Sequence, residues 1–262
     1  MIISHKHKYI FVHCRKTAGS SISIMLNQYL GFWDIQVGSW NDTLANGGKI
    51  NARLLFDAMG RGGLNYVPTA ASRIIGRWKE GCPLSVLSQV SKMQNKKYRK
   101  LLNDHTDHAS AYNVKRCFPR EWETYFTFCF VRNPWDRAVS EYKWCTRKPH
   151  QKSVGFREFL ERVHDPQRSD PEYVVPKPPS NWDLYTIDDQ IAVDFVGRFE
   201  YLARDLQIVC GEIGLPFNDK MFPHAKKTRG SEDRYRDWYD DYTRRLVEEM
   251  YEKEIEAFGY KF

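Results

Sequence analysis

The sequence predicts a single α/β domain: a P-loop-like, three-layer arrangement with a central, mainly parallel sheet flanked by helices. Three β-rich runs, at residues 8–14, 124–132 and 192–200, are each followed by a segment with helical periodicity. Strands that alternate with helices are typical of a layered domain with a parallel sheet. The chain has 262 residues, of which 42% are hydrophobic. That is enough for one core, so we expect residues 1–262 to form one domain.

Two strand–helix units carry the clearest signals. "KYIFVHC" (8–14) is a short β-rich run, and "SSISIMLNQYLG" (20–31) has helical spacing that ends at a glycine. The run at 124–132 is aromatic and almost continuously apolar, as expected for a strand buried on both faces. Asn133-Pro134 ends that strand, and a helix is predicted from Pro134 because proline suits the first helical turn.

Shorter signals predict the remaining elements of the domain. Residues 155–164 have helical spacing, and residues 165–182 are proline-rich and irregular. The third strand, at 192–200, is followed by a predicted helix at 202–213. A final helix is predicted across 239–257.

Residues 34–103 are predicted to be an insertion on the acceptor side of the domain. Their first part, 34–64, is rich in glycine, asparagine and aspartate and predicts loops with little regular structure. Residues 66–103 are basic and mostly helical in pattern.

Composition narrows the classes of ligand and partner. There are 40 Lys and Arg against 33 Asp and Glu, a net charge of +7, which favours anionic ligands. The excess is spread along the chain, so nucleic acid is not an expected partner. No stretch of 18 apolar residues predicts a membrane anchor, and the start lacks a signal peptide's features. Six cysteines without a C-x-x-C pair predict buried reduced thiols in a cytoplasmic protein.

The turn after the first strand predicts an anion site. A strand, a tight turn and a helix bring backbone N–H groups and the positive helix end to one point. Gly19 permits close approach of the backbone, and Lys16 supplies a mobile charge. Hydroxyl donors come from Thr17, Ser20 and Ser21. An ordinary capped helix with Lys16 exposed is the alternative.

The spacing in this turn differs from that of a nucleotide kinase. A Walker A loop places lysine directly before the serine or threonine that holds Mg²⁺, whereas here Lys16-Thr17 precedes Gly19 in a shorter loop. The second and third β-rich runs carry Arg132 and Arg198 where a Walker B strand carries aspartate. The pattern predicts a site without metal, and a P-loop small-molecule kinase that needs Mg²⁺ and ATP is the alternative.

A second set of polar residues follows the second strand. Arg132 stands at its carboxyl end, and Ser140 lies about two turns into the next helix. Ligands of open α/β sheets lie at the carboxyl ends of strands, so we expect Arg132 and the first turn to face one crevice. Arginine suits bidentate binding of phosphate. A surface arginine and a helix serine are the alternative, and Arg137 is interpreted as a salt-bridging helix residue.

The two motifs together resemble those of the carbohydrate-type sulfotransferases, which use 3′-phosphoadenosine-5′-phosphosulfate (PAPS). "FVHCRKTAGSS" (11–21) is similar to the family's "FIHIPKTGGTS", and "FVRNPWDRAVSEY" (130–142) to its "FVRNPWDRLVSxY". The resemblance covers residues 7–31 and about 104–262 and leaves 34–103 unmatched. It implies sulfonate transfer from PAPS to a hydroxyl group, with no metal and with 3′-phosphoadenosine-5′-phosphate (PAP) as product.

The resemblance assigns roles by position. The first turn would hold the 5′-phosphosulfate, through Lys16, Thr17, Ala18, Gly19, Ser20 and Ser21. Arg132 and Ser140 would hold the 3′-phosphate of the same nucleotide. Arg15 stands where the family usually has proline, and Ala18 where glycine is common. Arg15 either binds the sulfonate or points to solvent.

Transfer to an alcohol needs a base at the acceptor hydroxyl and a cation at the departing phosphate. Lys16 is the predicted donor to the leaving oxygen, and histidine suits the base because its pKa lies near working pH. The resemblance matches His108 best. His105 would share a helix face with His108 if that segment is helical, and His13 is interpreted as structural. The His105–His108 spacing also resembles a metal-ligand pair, but no further Cys or His cluster completes a zinc site.

A basic loop and the acceptor pocket complete the predicted site. Within "HAKKTRGSEDR" (224–234), Lys227 and Arg229 are predicted to contact phosphate, and an exposed basic loop is the alternative. Residues 34–103 and 165–182 are expected to build the acceptor pocket. The resemblance favours a carbohydrate acceptor, with a small secondary metabolite as the alternative. A non-catalytic nucleotide- or glycan-binding protein is the rival of another class.

Overall fold

A computed structural model of the chain describes residues 1–58, 84–103, 107–165, 167–217 and 235–262. A five-stranded sheet lies at its centre, with the strand order β3-β1-β2-β4-β7. Its strands are β1 (Ile2–Ser4), β2 (Tyr9–Phe11), β3 (Ile35–Gln36), β4 (Phe126–Val131) and β7 (Phe195–Arg198). A separate hairpin consists of β5 (Thr186–Ile187) and β6 (Gln190–Ile191).

The described α-helices are α1 (Gly19–Asn27), α2 (Trp40–Ala45), α3 (Ala52–Ala58), α4 (Leu84–Leu102), α5 (Ala111–Cys117), α6 (Pro119–Thr124), α7 (Pro134–Cys145), α8 (Phe156–His164), α9 (Trp182–Tyr185), α10 (Leu202–Glu212), α11 (Asp241–Met250) and α12 (Glu252–Phe258). The helices predicted after the three strands correspond to α1, α7 and α10 and are confirmed, as is α8. The single final helix predicted at 239–257 is two helices, because the Tyr251 backbone leaves helical geometry (φ −126°, ψ 26°). None of the described helices is long and apolar enough to cross a membrane.

The sheet is mixed rather than mainly parallel. β2 pairs with β4, and β4 with β7, in parallel register, as the alternation of strands and helices predicts. β1 pairs antiparallel with both β2 and β3. β1 and β3 have three and two residues, which is too short to show a strand periodicity in the sequence.

Apolar side chains cover both faces of the parallel strands. Tyr9 and Phe11 of β2 pack with α1 and α10 on one face, and Ile10 and Val12 pack with α4 and α5 on the other. β4 alternates in the same way, which explains the almost continuous apolar run at 124–132. Since β2 and β4 run parallel, the turns that follow them lie at the same edge of the sheet.

The described part of the predicted insertion, 34–103, is more regular than its composition predicts. The prediction of loops for 34–64 is wrong for α2 and α3, which have six and seven residues. Helices this short are not stable alone. Contacts with α4 hold them: Trp40 Nε1 donates to Gln94 Oε1 at 2.9 Å, and Lys97 Nζ donates to buried Asp57 at 2.6 Å.

The helical prediction for 66–103 is confirmed over α4. Residues 66–83 of that prediction lie outside the described part of the chain.

A buried ion pair ties α7 to α12. Arg137 Nη2 lies 2.8 Å from Glu254 Oε2, and both side chains are only 3% exposed. The Tyr185 hydroxyl donates to the other oxygen of the same carboxylate at 3.0 Å. Arg137 is therefore the salt-bridging helix residue that the sequence predicts.

Candidate functional site

The turn that joins β2 to α1 has two left-handed residues and one internal hydrogen bond from a side chain. Lys16 and Ala18 are left-handed, with φ of 59° and 65°, a conformation that favours glycine. The resembling family commonly has glycine where Ala18 stands, and this geometry explains why. The buried Thr17 hydroxyl donates to the Cys14 carbonyl at 3.1 Å. It therefore stabilises the turn instead of facing the cleft, and an anion can meet Thr17 only through its backbone N–H.

Gly19, the first residue of α1, lies directly against the imidazole of His13. A Cβ atom at Gly19 would stand 1.9 Å from His13 Cδ2 and 2.0 Å from Nε2. Van der Waals contact between carbon atoms requires about 3.5–4.0 Å. Glycine is required here by the close approach of the ring, as well as by any ligand.

Gly19→Ala is expected to weaken binding of PAP, the nucleotide that the sequence resemblance implies, at least about 10-fold, because the imidazole or the turn must move to admit the methyl group. Isothermal titration of both proteins with PAP measures this change. Gly211→Ala is the matched control, since Gly211 is also helical and nothing lies within 4 Å of its Cβ position. An unchanged affinity in Gly19→Ala would show that the turn tolerates the shift.

A cleft of about 590 Å³ opens beside this turn, within the usual range for small-molecule sites. The turn and α1 contribute Arg15, Lys16, Ala18, Gly19, Ser20 and Ser21. The insertion contributes Gly38, Ser39, Trp40, Asn41, Asp42, Ser91, Lys92 and Asn95. His13, Asp107, His108, Trp144 and Arg147 complete the lining. The cleft therefore brings the predicted anion-binding turn, the predicted base and the insertion together.

The hydrogen bond of His108 fixes its tautomer. His108 Nδ1 lies 2.8 Å from the His13 carbonyl oxygen. A carbonyl oxygen only accepts, so Nδ1 carries the proton, and the neutral ring carries its acceptor lone pair on Nε2. The neutral form of the ring thus has the tautomer that a base acting through Nε2 needs. His108 precedes α5, whose first residue is Ala111, so residues 107–110 are not helical as the shared helix face with His105 would require.

The sulfotransferase family profile matches residues 1–261. The chain belongs to the sulfotransferase family. The resemblance carried by the two motifs is thereby confirmed. An uncharacterised protein of Archaeoglobus fulgidus is 34% identical to this sulfotransferase over 101 residues, which cover 36% of this chain and 72% of that protein. No solved structure matches the chain.

The Lys16 ammonium of the sulfotransferase is held by a ring. Its Nζ lies 4.8 Å from the centre of the Trp144 indole. Burial lowers the pKa of Lys16, Glu141 opposes that shift, and Arg132 adds to it. A cation–π contact at such a site is worth only about 0.5–2 kcal/mol. The ammonium is therefore held loosely enough to move to an anion in the cleft.

Arg132 connects the two motifs of the sulfotransferase. Its Nη1 donates to the Lys16 carbonyl at 3.1 Å, and its Nε lies 2.8 Å from Asp136 Oδ2. Its guanidinium also lies 4.0 Å from the centre of the Phe199 ring. The turn after β4 therefore lies against the turn after β2, but the expectation that Arg132 and the first turn face one crevice is not confirmed. Arg132 and Ser140 are not among the residues that line the cleft.

Arg15 links the proline-rich segment to the turn between β2 and α1. Its backbone N–H donates to Asn181 Oδ1 at 3.0 Å, and Asn181 Nδ2 donates back to the Arg15 carbonyl at 2.9 Å. Its guanidinium pairs with Glu141 at 2.6 Å and donates to the Lys177 carbonyl at 3.0 Å. A proline has no N–H for the first of these bonds. Arg15 lines the cleft, but Glu141 compensates its charge, and it does not extend into solvent.

Asn181→Leu is expected to destabilise the sulfotransferase by about 1–3 kcal/mol, because it removes the partners of the N–H and the carbonyl of half-buried Arg15. Asn181 is fully buried. Urea unfolding measures the change, with Asn46→Leu as control: Asn46 is exposed and bonds only within its own helix end. Equal stability of the two variants would show that the two hydrogen bonds between Asn181 and the Arg15 backbone contribute nothing to the free energy of unfolding.

Other predicted residues lie elsewhere. His105, Lys227 and Arg229 fall outside the described residues. Arg198 Nη2 donates to the Phe258 carbonyl at 2.9 Å and so holds the end of α12. Within the described ranges, no group of three or more His, Cys, Asp and Glu side chains is arranged to hold a metal.

Sequence reasoning missed several cleft residues. Trp144 follows Ser140 by four residues on α7, so helical spacing alone predicts that these two side chains are neighbours on the helix surface. Arg147 lies 3.5 Å from the centre of the Trp144 ring. The insertion's Asn41, Asp42 and Asn95 follow no motif or period, and only the fold brings them to the cleft.

Proposed function

We propose that this sulfotransferase transfers the sulfonate group of PAPS to a hydroxyl of a carbohydrate or glycan-like acceptor. The observation that carries the proposal is one cleft that contains both the anion-binding turn and His108. A sulfonate donor needs the first and an alcohol needs the second. The cover of apolar side chains on both faces of the sheet, with the turn directly after β2, supports a P-loop-like three-layer arrangement.

The contact between the two motifs supports a bisphosphorylated nucleotide as donor. In this proposal the backbone N–H groups at the start of α1, with Lys16, Ser20 and Ser21, bind the 5′-phosphosulfate. Arg132, which touches the Lys16 carbonyl, binds the 3′-phosphate together with Ser140. Both ends of one nucleotide would then be held by neighbouring turns.

The transfer step assigns a task to each of two side chains. The acceptor oxygen forms a bond to sulfur while the bond between sulfur and the phosphate oxygen breaks. His108 takes the hydroxyl proton at Nε2. Lys16 leaves the Trp144 ring and donates to the departing phosphate oxygen, where negative charge develops.

The insertion side of the cleft supports a polyhydroxylated acceptor. Asn41, Asp42 and Asn95 present amide and carboxylate groups that hydrogen-bond to hydroxyls. Trp144 is 48% exposed, and the part of its ring that Lys16 and Arg147 leave uncovered offers an apolar surface to a sugar ring. A flat, mostly apolar metabolite would use only the ring, whereas a sugar would use both kinds of group.

Incubation with PAPS labelled with ³⁵S tests the proposal. The acceptor panel contains neutral and acidic oligosaccharides, phenols and simple alcohols, each with and without EDTA. Label on an oligosaccharide in EDTA is the expected result. Label on a phenol alone would replace the acceptor class, and PAP binding without transfer would support the non-catalytic reading. Phosphate transfer from ATP that needs Mg²⁺ would support the kinase reading.

A further inference from the structure

His13 lies at the junction of the donor turn and the base. Its ring lines the cleft and is 7% exposed. The Cδ2–Nε2 edge faces Gly19 at the start of α1, and the ring centre lies 4.8 Å from that of His108 in an edge-on arrangement. Phe11 stacks on the ring at 5.8 Å. His13 is thus fixed between the proposed anion site and the proposed base.

The imidazole is an unfavourable choice for this position on grounds of stability. Its Nδ1 is buried and has no hydrogen-bond partner among the residues that the structure describes, which costs about 1–3 kcal/mol. Burial, and then the neighbouring His108, hold the pKa of His13 well below its usual value, so the ring is neutral. An apolar side chain would pack against Phe11 without the unpaired nitrogen. Buried polar groups that lack a partner often mark functional positions.

We propose that His13 is a second functional histidine of the cleft, which donates from Nε2 to an oxygen of the transferred sulfonate. This inference rests on the proposed function. A neutral ring with its proton on Nε2 directs an N–H toward the start of α1, where the proposal places the anion. Its bare nitrogen is then the buried Nδ1. The His13 carbonyl meanwhile orients His108, so one residue serves both the donor and the base.

His13→Met and His13→Gln form a matched pair, since the two side chains have similar length and only glutamine carries an N–H donor. Thermal unfolding, titration with PAP and kcat with labelled PAPS are measured for each variant and the wild type. We expect His13→Met to unfold at the wild-type temperature or above and to bind PAP within about 3-fold of the wild type, because PAP lacks the sulfonate. Its kcat should fall about 100-fold, the typical loss of one donor to developing charge. His13→Gln should recover at least about 10-fold of that loss.

The possible outcomes distinguish failure of the His13 role from failure of the proposed function. No transfer by the wild type would refute the proposed function and this role with it. Transfer by the wild type with undiminished kcat in His13→Met would refute the role alone. A joint loss of unfolding temperature, PAP affinity and kcat in both variants, without rescue by glutamine, would make His13 a packing residue.

Discussion

Replacing Lys16 with alanine is expected to lower kcat about 10³-fold, while PAP still binds within about 10-fold of the wild-type affinity. In the proposed mechanism the ammonium acts mainly on charge that develops as the bond to sulfur breaks, so its loss falls on the transition state more than on the bound nucleotide. Transfer from labelled PAPS and titration with PAP measure the two effects separately.

Lys8 provides the control for the Lys16 variant. Its Nζ also lies 4.8 Å from an aromatic ring, that of Tyr125, and its backbone is also left-handed (φ 55°). Lys8 precedes β2, at the opposite end from the anion-binding turn. Lys8→Ala should keep wild-type kcat. Equal losses of kcat in the two variants would show that Lys16 does not act specifically on the departing phosphate.

Replacing His108 with glutamine is expected to lower kcat about 10²–10⁴-fold and to leave PAP affinity unchanged. Glutamine retains an amide N–H for the His13 carbonyl but cannot take the proton of the acceptor hydroxyl. The pH profile gives a second readout, since the rise of kcat/KM with the ionisation of the base should disappear in the variant.

His5 provides the control for the His108 variant. His5 Nδ1 also makes a short contact, 3.0 Å to the Tyr125 hydroxyl, but it lies before β2 and outside the cleft. His5→Gln should keep the wild-type profile. An unchanged profile in His108→Gln would assign the base to another group, with His105 as the next candidate.

The parallel core and the meeting of the two motifs could be predicted because each rests on local rules. A continuous apolar run is typical of a strand covered on both faces, and the carboxyl ends of parallel strands share one edge. Those two rules place the turns after β2 and β4 at one edge of the sheet, whereas the hydrogen bond from Arg132 to the Lys16 carbonyl is seen only in the fold. Asn133 caps α7 with its side chain, as the break at Asn133-Pro134 indicates.

The rest of the site depends on contacts that no local pattern encodes. α2 and α3 exist because Trp40 and Asp57 find partners on α4, some 40–54 residues away. The Thr17 hydroxyl was assigned to the ligand, yet the tight turn directs it to the Cys14 carbonyl. The sequence favours a structural role for His13 because this residue ends a strand beside the turn. Only the fold reveals that its ring lies between Gly19 and His108.

The arginine at position 15, where the family usually has proline, is likewise explained only by contacts with residues distant in the chain. Asn181 and Glu141 are 166 and 126 residues distant in the chain, and both bind Arg15. The sequence suggested a charge beside the sulfonate. In the structure Arg15 instead connects the turn to the proline-rich segment, and Glu141 compensates its charge.

The central claim is that Arg132 recognises the 3′-phosphate of a nucleotide whose 5′ end lies in the first turn. Titration of the wild type and Arg132→Ala with PAP and with adenosine 5′-phosphate, which lacks the 3′-phosphate, tests it most directly. Any disturbance of the Lys16 turn by the mutation weakens both ligands alike and cancels in their ratio. The account predicts that the wild type prefers PAP about 10- to 100-fold, as a charged hydrogen-bonding contact is worth about 1.5–3 kcal/mol, and that Arg132→Ala loses most of this preference and keeps only the smaller contribution of the Ser140 hydroxyl. A preference for PAP that survives intact in Arg132→Ala, or that is absent from the wild type, would contradict it.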